Sequence, residues 1–300
     1  MSAAGDDEGT AAAAVVGARP SVSGSTDAPC PICGARTQLS FAHPDADIYR
    51  CDACTHTFSR LDTVRTFERY DQRYFEQTHK NWFEHPNHAL FQWVDDRLPR
   101  DAASVVDVGC GNGDFLRFLR HRRADARLVG VDLSAPPDIE GVELVSGDLL
   151  TAPVRGPFDA VVTFAAIEHV TAPVPFAQRL VDLCKPGGTV VVMTLNANGV
   201  LYRAARTGRR LGVTVASDRL YSTHHLQHFT PASLRCLLER SGLDVVEVHH
   251  HNAPLEAMDL PGKSAVVHNV LLAGVAVSFG LGALTRSCYL QTMVCRRPTS

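Results

Sequence analysis

Two groups of residues in this 300-residue chain have types and spacings suited to chemistry. The first is Cys30-Pro-Ile-Cys33 with Cys51-Asp-Ala-Cys54, two Cys-x-x-Cys pairs separated by 17 residues. Each pair makes a tight knuckle, and two knuckles at this spacing place four thiolates around one zinc ion. Four thiolates leave no open coordination position, so the expected role of Zn2+ is structural. The apolar residues nearby are few (Ile32, Leu39, Phe41, Ile48, Tyr49), so the metal would supply much of the local folding energy. His56 is read as a surface or outer-layer residue, and a redox Cys-x-x-Cys fits poorly because two pairs are present.

The second group lies in residues 104–116, Ser-Val-Val-Asp107-Val-Gly109-Cys-Gly111-Asn-Gly113-Asp-Phe-Leu. It reads as a buried strand, a glycine turn and a helix from Asp114 with Phe115, Leu116, Phe118 and Leu119 on one face. A nicotinamide fingerprint would need glycine at 114, where aspartate stands. The pattern Asp107-x-Gly109-x-Gly111-x-Gly113 instead resembles the first motif of class I S-adenosylmethionine (SAM) methyltransferases. The chemistry is consistent: SAM carries an ammonium and a sulfonium, which a carboxylate attracts, and no pyrophosphate.

The elements that follow must position the remaining acids. Arg127-Leu-Val-Gly-Val-Asp132 is a second strand ending in an acid placed to take ribose hydroxyls. Val142 to Ser146 is a third, followed by Asp148, an acceptor for an adenine amino group. Leu133 and Leu149 are read as lining the adenine. Phe158 to Phe164 is a fourth strand, and the loop Ala-Ala-Ile-Glu168-His169-Val after it should face the reacting methyl, with Phe164 counted among the cofactor contacts. Phe176–Leu183 reads as a helix, 184–188 as a turn, and Thr189–Leu195 as a fifth strand. Residues 231–241 read as a helix and Asp244–Val248 as a sixth strand, with His249–His251 exposed beyond it. Tyr289–Cys295 resembles the family's last strand, antiparallel to the sixth. The fold class is α/β, a doubly wound, mostly parallel seven-stranded Rossmann-like sheet with a small N-terminal zinc ribbon.

In register, the segments DVGCGNGDFL, VGVDLS, SGDLL, FDAVVTFAAIEHV and LCKPGGTVVVMT resemble class I SAM-dependent methyltransferases. Glu-His-Val and the later HHLQHFTPASLRCLLERSGL are similar to the subgroup containing the ubiquinone-type O-methyltransferases. The resemblance spans about residues 30–250 and implies a small-molecule, glycan or secondary-metabolite acceptor. His169 is the first candidate for a general base, with His225 and His228 second; each also has a structural reading as a cap or core residue. No Asn/Asp-Pro-Pro-Tyr signature follows strand four, which speaks against adenine N6 methylation.

Two alternatives stand beside this reading: a zinc-ribbon RNA methyltransferase and a non-catalytic SAM-fold binding module. Net charge is −3, and residues 29–100 hold nine Lys/Arg against ten Asp/Glu, so no phosphate-binding bias appears. The expected organisation is a disordered tail over 1–28, a zinc ribbon over 29–60, a helical linker or lid over 61–100 and a SAM domain over 101–300. Residues 61–98 are aromatic-rich, read as packing the ribbon onto the main domain or as a lid. Residues 1–28 lack a secretory pattern and paired cysteines suggest metal, so a cytoplasmic, reducing compartment is expected. The arginines over 203–210 read either as a solvated face or as an anion contact. The apolar 265–285 reads as a buried or interface helix, because a membrane span cannot connect two neighbouring strands of one sheet. Peripheral membrane contact through both segments is the alternative.

Overall fold

A computed structural model describes residues 28–65, 80–134, 137–260 and 264–299. The expectations for the N-terminal tail and for the aromatic residues Phe67, Tyr70, Tyr74 and Phe75 lie outside the described residues, apart from Ala28.

Seven strands make one sheet: β4 (Ser104–Val108), β5 (Arg127–Asp132), β6 (Val142–Ser146), β7 (Phe158–Phe164), β8 (Cys184–Leu195), β10 (Asp244–His251) and β11 (Leu290–Arg296). Their order is β10-β11-β8-β7-β4-β5-β6. The block β8-β7-β4-β5-β6 is parallel, and β11 lies antiparallel to both of its neighbours. Strands covered on both faces need continuous apolar runs, which is how Val105-Val106 and Val190-Val191-Val192 read. Side-chain alternation sorts them. Val105, Val162 and Val191 join the core under α2 (His88–Asp95) and α3 (Asp114–Arg122). Val106, Val161 and Val192 join the core under α4 (Pro173–Leu183) and α7 (Pro231–Arg240).

A second sheet carries the cysteine knuckles. Its order is β1 (Thr37–Ala42), β2 (Asp47–Cys51), β3 (Thr57–Ser59) and β9 (Gln227–His228). The fourth strand is thus donated by a segment about 170 residues further along the chain, through Thr57↔His228 and Phe58↔Gln227. Side chains reinforce the seam. Thr55 Oγ1 bonds Thr230 Oγ1 at 2.7 Å, and the ring of His56 donates from Nε2 to Gln227 Oε1 at 2.9 Å. Thr230 also caps α7, accepting from Ser233 N in a capping box with Pro231 at the first turn.

Several expectations are corrected. The stretch 61–98, expected to be helical, is divided in its described parts into a 3-10 turn at Leu61–Thr63, α1 (Lys80–Glu84) and α2. Pro86 disfavours helix at His85, and the Asn87 side chain caps α2 by accepting from Leu90 N. The helix read from Phe176 begins at Pro173. The turn at 184–188 is the start of β8, irregular in its pairing with β7. His249–His251 is not exposed, because β10 runs on to His251 along β11: His249 stacks on Trp93 at 4.3 Å and His251 bonds Thr292. His56 is fully buried rather than superficial. The helix α8 (Ala265–Leu284) is not buried either; only Val275, Phe279 and Gly282 are. Between α4 and α8 lie α5 (Val200–Arg210) and α6 (Val215–Leu220), and α5 packs against α8.

Candidate active site

The parallel strands bring Asp107, Asp132 and Phe164 to one carboxyl edge of the sheet. Between β4 and α3 the loop turns through three left-handed glycines, φ +74° at Gly109, +51° at Gly111 and +77° at Gly113. Side chains are sterically excluded there. A Cβ on Gly109 would lie 2.6 Å from Ala166 Cβ, and one on Gly113 would run into Ile139 Cδ1. The loop is pinned to β5: Gly109 N and Cys110 N donate to Val131 O at 2.7 and 3.1 Å, and Gly111 N donates to Asp132 Oδ2 at 2.8 Å.

Asp107 is 2% exposed, and its Oδ1 meets no hydrogen-bond partner among the described residues. Burial, helped by the nearby Asp132 and Asp114 carboxylates, pushes its carboxyl up to about 8. A buried, unpartnered acid beside two others is a site that a cation would relieve. Asp132 accepts from Gly111 N and, through Oδ1, from Ser134 N at 3.0 Å. The Leu133 backbone N–H donates as well, and with about four lone-pair sites the carboxylate keeps acceptor capacity for a hydroxyl. Burial raises the Asp132 carboxyl as well. Asp148 is exposed and accepts from Leu150 N at 2.8 Å. Leu133 is 59% exposed, whereas Leu149 is buried in the core with Val129 and Val131. Phe164 packs against Phe115 (4.9 Å) and Phe91 (5.9 Å), so α2 of the linker helps shape the floor of this edge.

Beyond β7 the chain places Glu168 and His169. Glu168 is buried, accepts from Thr194 Oγ1 at 2.7 Å, and is pushed up to about 7 by burial. Its backbone carbonyl accepts from Leu226 N and Gln227 N, which docks the segment 224–228 onto this loop. His169 therefore meets His225, ring centroids 5.0 Å apart, and also His224. Burial and the neighbouring His224 hold the His169 imidazole far down, at about 3, so the ring is neutral at neutral pH. His228 is not with them. It is fully buried against Tyr221 (4.4 Å) and Tyr202 (6.2 Å), and burial holds it well below the usual range. His224 and Glu168 were not singled out from sequence; the His224-His225 doublet was the available signal for the first.

In the ribbon, Cys30 Sγ lies 3.6 Å from Cys54 Sγ and Cys33 Sγ lies 3.5 Å from Cys51 Sγ. All four sulfurs fall within 4.8 Å of one another. Zn–S bonds of about 2.3 Å in a tetrahedron put sulfurs about 3.8 Å apart, so the cluster fits that ion.

A parallel sheet with a glycine loop and paired acids at its carboxyl edge defines a nucleotide-using α/β protein of the doubly wound class. The chain belongs to the methyltransferase-domain family, whose model, described as "Methyltransferase domain", matches residues 74–248. It is a SAM-dependent methyltransferase. It is 26% identical over 219 residues to a ubiquinone biosynthesis O-methyltransferase of Ralstonia nicotianae, covering 66% of this chain and 88% of that protein. To the protein of the same name from Xanthomonas axonopodis pv. citri it is 31% identical over 182 residues, covering 54% and 73%. Among solved structures, phosphoethanolamine N-methyltransferase 2 of Haemonchus contortus, in complex with S-adenosyl-L-methionine, superposes with a TM-score of 0.55 at 16% identity, covering 78% of this chain and 61% of that one. That likeness concerns the fold.

Proposed function

We propose that this protein transfers the methyl group of SAM to a hydroxyl of a small-molecule acceptor, with Zn2+ held structurally by Cys30, Cys33, Cys51 and Cys54. The observation that carries the reading is that the buried Asp107, with Oδ1 unpartnered, lies near the carboxyl end of β4, while the His169–His225 pair follows the carboxyl end of the neighbouring parallel strand β7. The names of the relatives support oxygen as the methylated atom. SAM supplies an electrophilic methyl on a sulfonium. Asp107 attracts its cationic end, Asp132 accepts from the ribose hydroxyls, Asp148 accepts from the adenine amino group, and Gly109, Gly111 and Gly113 let the backbone approach. Leu133 and Phe164 supply apolar contact, and His169 and His225 present ring nitrogens to the acceptor hydroxyl. Those residues align an in-line displacement, in which the oxygen–carbon bond forms as the carbon–sulfur bond breaks and its electron pair stays on sulfur.

The test is transfer of labelled methyl from SAM to separate pools of hydroxylated aromatics, amines and RNA. Label in an ether linkage on the first pool supports the reading; label confined to amines or RNA rejects it.

The surface of α8 supports a second, compatible reading, contact with an anionic lipid surface. Its 20 residues carry no charge, mean hydropathy reaches 1.8, and only 17% of that window is buried. Val270, Val277 and Leu284 are exposed, and Arg203, Arg210 and Arg286 stand exposed on α5 and at the helix end. His251 and Leu290 pair across neighbouring strands, so the chain leaves and returns at one edge and α8 lies along the domain instead of crossing a bilayer. Cosedimentation with anionic vesicles should fall for Val270→Asp with Val277→Asp while the melting temperature holds, because both sites are exposed. Equal binding to neutral and anionic vesicles would remove the arginines from the account.

A further inference from the structure

Three imidazoles, His169, His224 and His225, meet at the carboxyl edge from two segments more than fifty residues apart. Their ring centroids form a nearly equilateral triangle, with sides of 5.0, 5.0 and 4.9 Å. One nitrogen from each ring lies within 4.8 Å of the other two. We propose that His169, His224 and His225 bind one divalent cation of the zinc class, leaving a fourth position open to the oxygen of the methyl acceptor. This deepens the reading above and rests on its assignment of a hydroxyl acceptor.

Neutral imidazole nitrogens suit zinc and neighbouring borderline metals. With Zn–N bonds of about 2.0–2.1 Å, tetrahedral nitrogens stand about 3.4 Å apart. The rings here would close by at most about 1.5 Å, within reach of side-chain rotation. Three protein ligands and an open position are the mark of a catalytic zinc site, in contrast with a closed four-ligand one.

The ring of His169 is held by the backbone. His169 Nδ1 lies 2.6 Å from His224 O, and the Ala165 carbonyl is a second backbone partner of the ring. A carbonyl oxygen only accepts, so the His224 carbonyl favours the proton on Nδ1. A ring N–H given to a backbone carbonyl is how metal-bound histidines are commonly oriented. The same bond joins the two ligand segments, and the Glu168 carbonyl, accepting from Leu226 N and Gln227 N at 2.8 and 2.9 Å, clamps them again. His224 is buried, whereas His169 and His225 are half-buried, so the open side of the triangle is the side toward solvent and acceptor.

The other histidine run shows that adjacency alone does not make such a site. His249, His250 and His251 alternate across β10, which puts His250 on the opposite face from its two neighbours.

The acceptor class follows: a phenol or vicinal diol, whose oxygen ligates a hard-to-borderline cation. Coordination makes the hydroxyl more acidic. Its proton leaves to water, the oxygen bonds to the methyl carbon, the carbon–sulfur bond breaks, and the electron pair remains on sulfur.

The test uses the full chain, stripped by chelator and reloaded with Zn2+ or Co2+. Metal per chain is measured by elemental analysis, and Co2+ absorption separates thiolate from imidazole ligation. The wild type should take up a second equivalent, lacking thiolate charge-transfer bands, beyond that of the four cysteines. His225→Gln, at a half-buried position where folding is retained, and His169→Asn should weaken that equivalent by about 100-fold or more, at or above the roughly 10–100-fold cost of disturbing even outer partners. SAM affinity should persist in both variants, and hydroxyl methylation should fall with the second equivalent. Uptake of the cysteine-bound equivalent alone overturns the proposal, as does turnover that survives removal of the second. SAM binding with methyl transfer intact in either case leaves the methyltransferase reading standing. Amine-only methylation would instead defeat the hydroxyl reading, whatever metal is bound.

Discussion

The molecule holds two clusters of metal-competent side chains, and they are built in opposite ways. Cys30, Cys33, Cys51 and Cys54 sit on two knuckles close in sequence, three of them buried, with four donors and no open position. His169, His224 and His225 converge from distant segments, with three donors and a half-exposed side. The first arrangement suits holding a small fold together; the second suits meeting a substrate. They are also mechanically joined, because β9 starts two residues after His225 and completes the ribbon sheet. The ribbon thereby buttresses the segment that carries two of the three imidazoles.

The largest effect expected is from the closed cluster. Cys51→Ser removes a fully buried ligand, so the ribbon should lose its metal and its cooperative melting. If the two clusters are coupled through β9, turnover should fall as well, while SAM affinity stays within about twofold. Calorimetry, elemental analysis and SAM titration check the three parts. Turnover unaffected by ribbon loss would break the coupling.

Next comes the open cluster. His169→Ala should lower turnover by about 100-fold or more, at or above the roughly 10–100-fold cost of disturbing even the outer partners of a metal site, with little change in SAM affinity. Its melting temperature should shift far less than that of Cys51→Ser. Unchanged turnover would make the triangle structural, like the ribbon.

The smallest effect sharpens the contrast between acids and imidazoles on the edge. The Asp107 carboxyl is raised from the usual carboxylate range to about 8, so the fold binds that proton more tightly than the unfolded chain. Its contribution is fully present below about pH 4 and is lost as pH rises toward 8. The buried His56, His169, His228 and His251, held low by burial, work the other way up to about pH 6.5, so the loss from Asp107 in the ligand-free protein should show between about pH 6.5 and 8. Asp107→Asn should flatten part of the slope, with Glu168, raised to about 7, retaining the rest. Added SAM should flatten it in the wild type by holding Asp107 ionised. Melting temperature against pH, with and without SAM, reads all three curves.

Much of this was legible in one dimension. The valine runs of β4, β7 and β8 forecast a sheet covered on both faces, and the Asp107-to-Gly113 stretch forecast a glycine turn leading into α3. The knuckle spacing forecast the four-sulfur cluster. Each signal is local, since a few neighbouring residues carry both the conformation and the chemistry. The helical character of the linker is legible, but not its division at Pro86 and Asn87, because aromatic content masks the stop and the cap. The histidines of β10 were misread because their burial depends on Trp93 and β11, which approach from elsewhere in the chain. The exposure of α8 was equally invisible: an apolar stretch states that it avoids water, not whether this chain covers it.

By itself, then, the sequence determined the parallel sheet, the glycine loop, the acids at strand ends and the cysteine knuckles, because periodicity and short spacings encode them directly. Only the tertiary structure decided that β9 belongs to the ribbon, that His228 is sealed among tyrosines, and that His169 meets His224 and His225. Those outcomes rest on contacts between segments tens to more than a hundred residues apart, where loop closure and packing, and not local pattern, choose the partners.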